Sequence, residues 1–324
     1  MRFLLRRLLR AFLLLIGVSV LCFAFTQMAP GSLFDEMRLN PQISPETIAT
    51  LQAHYGLNRP LPVRYAKWML AAARGDFGYS IAYNSPVAPL LWARAKNTLL
   101  LATTATILIW LIGVPLGVWS ASSRGRTLDR FVGSGTSLLI AVPEIVIAVA
   151  LLAVVVRWRI VPLGGMVSLG FDDLSGWGKV QDVFLHMLLP VSILLVGGIA
   201  IVERHVRASV LEVLDTPYIQ AARGLGISRT RLLFRHALPV AANPAISLFG
   251  LFLAGLLGAS LLVEVVTGWP GLGPLILDAT LSRDFYVVIA ATMFSAVFMI
   301  GGNFFADLLL IASDGRVRQG DHDA

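Results

Sequence analysis

Residues 216–239 read "TPYIQAARGLGISRTRLLFRHALP", a stretch with four arginines, one histidine and two glycines set between strongly apolar runs. Thr216 offers an N-cap hydroxyl and Pro217 a first helical residue whose missing N–H costs nothing. The spacing predicts a helix through "YIQAARGL" that Gly226 stops, about 13 Å long at 1.5 Å per residue. Ser228 then caps a second helix, "RTRLLFRHALP", which leads into the next apolar run. Tyr218, Ala221, Ala222 and Leu225 recur at spacings of three and four and give the first helix a small apolar face. So short a helix is unstable alone in water. It must lie against the bilayer surface, the chain's own helices or another protein.

What surrounds this stretch fixes the fold class. Of 324 residues, 56% are hydrophobic and 14% charged, against about 45–50% and 25% in soluble domains. Apolar windows long enough to cross about 30 Å of hydrocarbon fall at 11–29, 98–120, 131–156, 187–202, 245–267 and 286–312. The chain therefore reads as an all-α membrane protein with six transmembrane helices. The fourth window is short, with Pro190 near its start. At the N-terminus, "MRFLLRRLLR" precedes a long apolar run with no small-x-small cleavage site before "QMAPGS", which predicts an uncleaved first span.

Short arginine-bearing loops stay in the cytoplasm. Arg2, Arg6, Arg7 and Arg10 precede span one, and Arg124, Arg126 and Arg130 separate spans two and three. Arg204, Arg207, Arg223, Arg229, Arg231 and Arg235 separate spans four and five, and Arg316 and Arg318 follow span six. With six spans all fall on one side, so both termini are expected to be cytoplasmic. The net charge of +7 then reports topology and requires no nucleic acid. Cys22, the single cysteine, can form no disulfide within the chain.

This divides the chain into 1–30, a cytoplasmic N-terminus with span one; 31–97, an extracytoplasmic helical segment; 98–312, a five-span core with a cytoplasmic loop at 203–240; and 313–324, a cytoplasmic tail. In the extracytoplasmic segment, Ser44-Pro45 and Ser85-Pro86 mark helix starts and Gly56 and Gly75 stops, with breaks at "NRPLPVRY" and "RGDFGYS". These short helices are expected to pack as a lid on the spans. Residues 157–186, with "VPLGGM" and "GFDDLSGWGK", read as an irregular loop. Residues 268–284 open with "GWPGLG", which cannot continue a helix; irregular backbone at such depth belongs where protein buries it or water reaches it, as at a pathway mouth. Gly113 and Gly117 form a G-x-x-x-G suited to close helix packing.

A phosphate loop needs G-x-x-x-x-G-K-[ST]. The Gly178-Lys179 pair is followed by Val180, and Asp173 stands where the first glycine belongs. The chain has no H-E-x-x-H and no G-x-S-x-G, so neither a metal site nor catalytic residues are expected. His186 and His205 lie at span ends and leave an intramembrane serine without a general base. An ionisable residue within a span is a functional candidate by default. Glu144, in "AVPEIVIAV" well inside span three and directly after Pro143, where a kink is expected, is the sharpest. It is either a hydrogen-bonded or protonated carboxyl or a polar element of a solute pathway. Glu264 and Asp307 lie nearer span ends.

The segment 218–239 resembles the EAA-type cytoplasmic loop of permease subunits from binding-protein-dependent ABC importers, with Ala221, Ala222 and Gly226 at its alanine pair and signature glycine. "RGDFGYS", "GVPLGVWSA", "VPEI" and "GWPGLG" resemble blocks of the subgroup importing dipeptides, oligopeptides or nickel. "YGLNRPLPVRYAKWM" is similar to the outer segment of the first of its two permease types. Pro239 and Val240 depart from a basic or polar residue followed by asparagine, and Gly224 from a common alanine.

The resemblance implies a type I ABC importer permease fold in the bacterial inner membrane, forming half of a translocation pathway. It implies coupling to two ATP-binding cassette subunits through Tyr218, Ala221, Ala222, Arg223, Leu225 and Gly226, with ATP and Mg held by those partners and no cofactor in this chain. A second homologous permease and an extracytoplasmic solute-binding protein are further expected partners, the latter faced by Trp269, Pro270, Gly271 and Gly273. The alternative is a stand-alone secondary transporter or channel, which needs an ion-coupling site. Glu144 is its candidate.

Overall fold

The computed structural model describes residues 2–28, 38, 44–46, 50 and 59–313. Elements with described bounds are α1 (Arg2–Met28), α2 (Leu61–Ala72), β1 (Tyr79–Ser80), β2 (Ser85–Pro86), α3 (Val87–Ser122), α4 (Thr127–Ala141), α5 (Glu144–Trp158), α6 (Gly176–Leu214), α7 (Pro217–Gly224), α8 (Arg229–Thr267), α9 (Leu272–Leu281) and α10 (Phe285–Ser313). Among the described residues, five helices, lying in α1, α3, α6, α8 and α10, are long and apolar enough to cross a bilayer. The count reaches six if α4 and α5 together make one span.

That pair shows that 131–156 is not one unbroken helix. α4 and α5, 15 residues each, meet at a 100° bend. Proline disfavours helical geometry in the residue before it. Val142 is accordingly extended (φ −87°, ψ 124°), and the helix restarts at Glu144 after Pro143. Hydropathy is blind to the break because both halves are equally apolar.

The short fourth window is likewise corrected. It is the middle of α6, a 39-residue helix in which Pro190 is buried. Proline inside a buried span is tolerated where neighbouring helices enclose the weakened turn. Ser175 starts α6 by accepting from the Gly178 amide (3.2 Å), so helix, preceded by a 3₁₀ turn at Phe171–Asp173, replaces much of the expected irregular loop. Ser85-Pro86 is no helix start but β2, paired antiparallel with β1; α3 begins at Val87. Ser44 precedes helical Pro45 and Glu46, and Gly75 turns the chain at φ +84° after α2. Gly56 and residues 314–324 lie outside the described residues.

The chain forms two compact units, Met1–Asn97 with Pro270–Val297 and Thr98–Trp269 with Phe298–Ala324. In the first, Phe23, Trp68 and Ile289 make an apolar centre joined by Tyr65, Phe77 and Tyr286. The "RGDFGYS" turn is held by buried Asp284, which accepts from the Ser80 hydroxyl (2.6 Å) and the Ala82 amide (3.2 Å). Asn97 donates to the Pro270 carbonyl (2.8 Å). Tyr83 donates to Asp278 (3.4 Å); burial first, then that carboxylate, pushes its phenol above the ordinary range and keeps it a donor.

In the second unit α6 is the axis, with α4, α5 and α8 packed on it. Its inner residues, including Ile193, Leu194, Ala200 and Val202, are fully buried. The "GVPLGVWSA" block of α3 lies directly on it. A methyl group at Gly117 would sit 2.7 Å from the Glu203 carbonyl oxygen, and one at Gly113 would sit 2.9 Å from Val202. Both glycines exist to let the two backbones approach. Because the Gly117 obstacle is backbone, Gly117→Ala is expected to destabilise the protein by about 1–3 kcal/mol, read as a lower thermal midpoint of the detergent-purified chain. A midpoint equal to wild type would show that the two helices are free to separate.

Candidate functional site: the basic end of the second unit

The expected short helix is present as α7, eight residues long. Pro217 is its first residue, and Thr216 adopts the extended backbone of an N-cap (φ −70°, ψ 148°). The Thr216 hydroxyl does not cap it. It donates backward to the Val213 carbonyl (2.6 Å), closing the end of α6 instead.

The other end is a complete Schellman stop. The Ile227 amide donates to Ala222 (3.4 Å) and the Gly226 amide to Arg223 (3.0 Å), with Gly226 at φ +77°. Left-handed backbone of this kind suits glycine. Gly224, by contrast, lies inside the helix with open space around a Cβ position, so the departure from alanine removes no contact.

Burial divides the face read from the sequence. Ile219, which the spacing argument did not single out, is 0% exposed, and Ala222 and Ile227 pack against the same core. Tyr218 (45% exposed), Ala221 and Leu225 (83% exposed) point away from it, as do Arg223 and Gly226. The helix thus has an anchored apolar side and an open side on which Tyr218, Ala221 and Leu225 stand beside Gln220 and Arg223.

A second contact ties α7 to α8. The Tyr218 hydroxyl donates to the His236 carbonyl (3.2 Å), within a π-helical turn at Leu232–Ala237 in which the Leu238 amide reaches back five residues to Leu233. Proline crowds the carbonyl four residues before it, and this widened turn directly precedes Pro239. The helix then continues through Pro239 and Val240.

At the arginines that flank α7 in the chain, charged groups tie helix ends together. Asp129, in the first turn of α4, is 6% exposed. It accepts from Arg207 Nε (2.7 Å) and Nη2 (3.0 Å), the Ser120 hydroxyl (3.0 Å) and the Gly125 amide (2.9 Å). Arg124 donates from Nη1 to both carboxylate oxygens of Asp215 (2.9 and 2.7 Å). That pair is well exposed and contributes at most about 1 kcal/mol. Arg229 donates to the Ser122 carbonyl. In the sequence these arginines read as orientation charges. Their partners lie 78, 91 and 107 residues away, a separation at which no local pattern signals a pair.

Glu144 opens α5 directly after the bend and is half-buried. It is the first residue of α5, directly after the break, and does not lie in mid-helix. Glu264 is fully buried and Asp307 half-buried.

In "GWPGLG", Gly268 caps α8 in the left-handed region (φ 64°), and the Trp269 amide returns to the Glu264 carbonyl (2.9 Å). Trp269, Gly271 and Gly273 are buried and Pro270 half-buried. The exposed side of this segment is formed by Leu277, Asp278 and Leu281 on α9. Among the described residues, no three His, Cys, Asp or Glu side chains gather as a metal site would require.

An eight-residue capped helix pinned on an otherwise apolar bundle is a distinctive arrangement, and sequence comparison gives it a context. Residues 113–319 match the family described as binding-protein-dependent transport system inner membrane component, and residues 1–102 match the N-terminal region of such membrane components. The chain belongs to this family. It is a multi-pass inner membrane protein and the permease component of a binding-protein-dependent transport system.

Similar proteins include the oligopeptide transport system permease AppB of Bacillus subtilis (strain 168), 35% identical over 97% of this chain and 98% of its own length. The dipeptide transport system permease DppB of Escherichia coli (strain K12) is 33% identical over 98% of this chain and 99% of its own. Among solved structures, the inward-facing MetNI methionine ABC transporter aligns with TM-score 0.57 and 19% identity, over 69% of this chain and 96% of that one. It supports the fold.

Removing one member of the Asp129–Arg207 pair leaves the other charge partly desolvated. Asp129→Ala is therefore expected to cost about 2–4 kcal/mol. The double variant Asp129→Ala/Arg207→Met should lose less than Asp129→Ala alone, measured by thermal unfolding in detergent. Strict additivity of the two substitutions would show the pair to be energetically idle.

Proposed function

We propose that the chain is one of two permease subunits of an ATP-driven importer for peptides or a similar small solute, with its basic end in the cytoplasm. The peptide class is supported by the oligopeptide and dipeptide permeases that it matches along nearly its whole length. The cytoplasmic assignment of the basic end, and with it of both termini, follows from the arginines of the short loops.

The observation that carries the coupling role is the two-sided burial of α7. Ile219 fixes the helix to its own bundle while Tyr218, Ala221 and Leu225 remain uncovered. A helix meant only to close a loop would have no use for an uncovered apolar side with Leu225 83% exposed. A groove on an ATPase subunit would cover that side, and Arg223 in the last turn would face acidic groups there. Each of two ATPases would hold ATP and Mg, and their closure would move α7 and, through Ile219 and the Tyr218 hydrogen bond, the ends of α6 and α8. The broken pair α4–α5 and Glu144 would border the solute pathway, because irregular backbone at membrane depth must be buried by protein or reached by water. The segment from Trp269 through α9 would face the solute-binding protein.

Leu225→Asp lies in open space and leaves the α7 anchor intact, whereas Gly226→Asp strains the Schellman stop. Both are expected to insert at wild-type level yet to lose most peptide uptake in proteoliposomes containing the assembled transporter, with ATP hydrolysis no longer stimulated by the loaded binding protein. Uptake at wild-type rate in both variants would remove α7 as the coupling element. A lone chain that drives uptake without any ATPase would favour a secondary transporter.

A further inference from the structure

A groove of about 560 Å³ opens beside the basic end of the second unit, between the last turns of α3 and the first turns of α8. Its walls are carbon, from Val114, Val118, Leu233 and Leu238, and its mouth carries Arg126 and Arg229. No acidic residue lines it. Trp119 and Phe234 also line it and are both more than half exposed. We propose that this groove is a binding site for one anionic phospholipid, with its headgroup phosphate on Arg126 and Arg229 and an acyl chain along the apolar walls.

Three observations select a lipid over other occupants. The first is charge. Arg124 and Arg207 nearby are spent on Asp215 and Asp129. Among the described residues, Arg126 has no acidic partner, and Arg229 donates to a single backbone carbonyl, that of Ser122. Two guanidinium groups above an apolar cleft, with no carboxylate between them, complement an anion that carries a long apolar tail. Guanidinium also suits phosphate by its forked donors.

The second is position. The groove spans the point where the apolar run of α3 gives way to Ser122, Ser123 and Arg126, which is where headgroups meet hydrocarbon. Basic pockets between membrane helices at this level are suited to anionic headgroups, and exposed tryptophan settles at the same depth. The third is shape. A free phosphate would need only the mouth, whereas most of the lining here is apolar and deeper than the arginines.

The test is native mass spectrometry of the detergent-purified full chain, titrated with phosphatidylglycerol and, separately, with phosphatidylcholine. One phosphatidylglycerol is expected to stay bound in preference to phosphatidylcholine. Arg126→Gln should weaken it about fivefold, the loss expected for one cation near an anionic lipid surface. Thr230→Trp, which fills the mouth, should abolish retention with an unchanged thermal midpoint. Arg130→Gln, exposed but outside the groove, should leave retention unchanged.

Equal retention of the two lipids, or equal losses in Arg126→Gln and Arg130→Gln, would overturn the site in favour of diffuse surface charge. Competition by millimolar inorganic phosphate would reassign it to a free anion. In the assembled transporter in phosphatidylglycerol membranes, a photo-reactive side chain at position 230 should capture lipid. Capture of a protein subunit there would make the groove a subunit interface and overturn the proposal.

Discussion

The approach of α3 to α6 at Gly113 and Gly117 is the contact on which the second unit depends. In a bilayer, helices gain little from burying apolar surface, because lipid is as apolar as the side chains; close van der Waals packing must hold them together. Removing two side chains from α3 lets its backbone rest on the Glu203 carbonyl and on Val202 and Val206 of α6. One turn further on, Ser120 reaches Asp129, which in turn grips Arg207 of α6. The polar lock thus begins where the apolar packing ends, and its donors and acceptors fit because the helices are already close.

α7 has a firm seat of its own. An eight-residue helix has too few internal hydrogen bonds to persist unaided. Here it is held by a Schellman stop at one end, a proline start at the other, Ile219 in the core beneath and the Tyr218 hydroxyl on the π-turn of α8. Burying Ile219 alone contributes about 1.5–3 kcal/mol. A seat of this kind ties α7 to the ends of both α6 and α8. Pro239 belongs to the same construction. The wide turn before it accommodates its ring, and that turn also carries the carbonyl that Tyr218 uses.

Much of the site was legible in the sequence because its determinants are local. Thr216-Pro217 and Gly226 bound α7 within two residues, since a proline start and left-handed backbone depend on neighbours in the chain, although the Thr216 hydroxyl turns back to α6 and caps nothing in α7. The close-packing reading of Gly113 and Gly117 needed only small residues one turn apart. Ile219 was passed over because it stands among small and polar neighbours, where nothing local says which face of a short helix is covered. The ends of α6 were missed for another reason. Hydropathy marks the part of a helix that lies in hydrocarbon, and α6 continues on both sides of its window as a helix built of more polar residues.

The sequence alone determined that the chain is a helical membrane protein, which residues supply its apolar runs, and that a capped basic helix lies between two of them. These follow from composition, from the requirement that backbone groups in lipid bond within their own segment, and from short-range stereochemistry. Tertiary structure decided the 100° turn between α4 and α5, the pairing of Asp129 with Arg207, and the division of α7 into an anchored and an open side. Each of these depends on groups brought together from distant parts of the chain, or on the direction the backbone takes after a break, and hydropathy and local spacing encode neither.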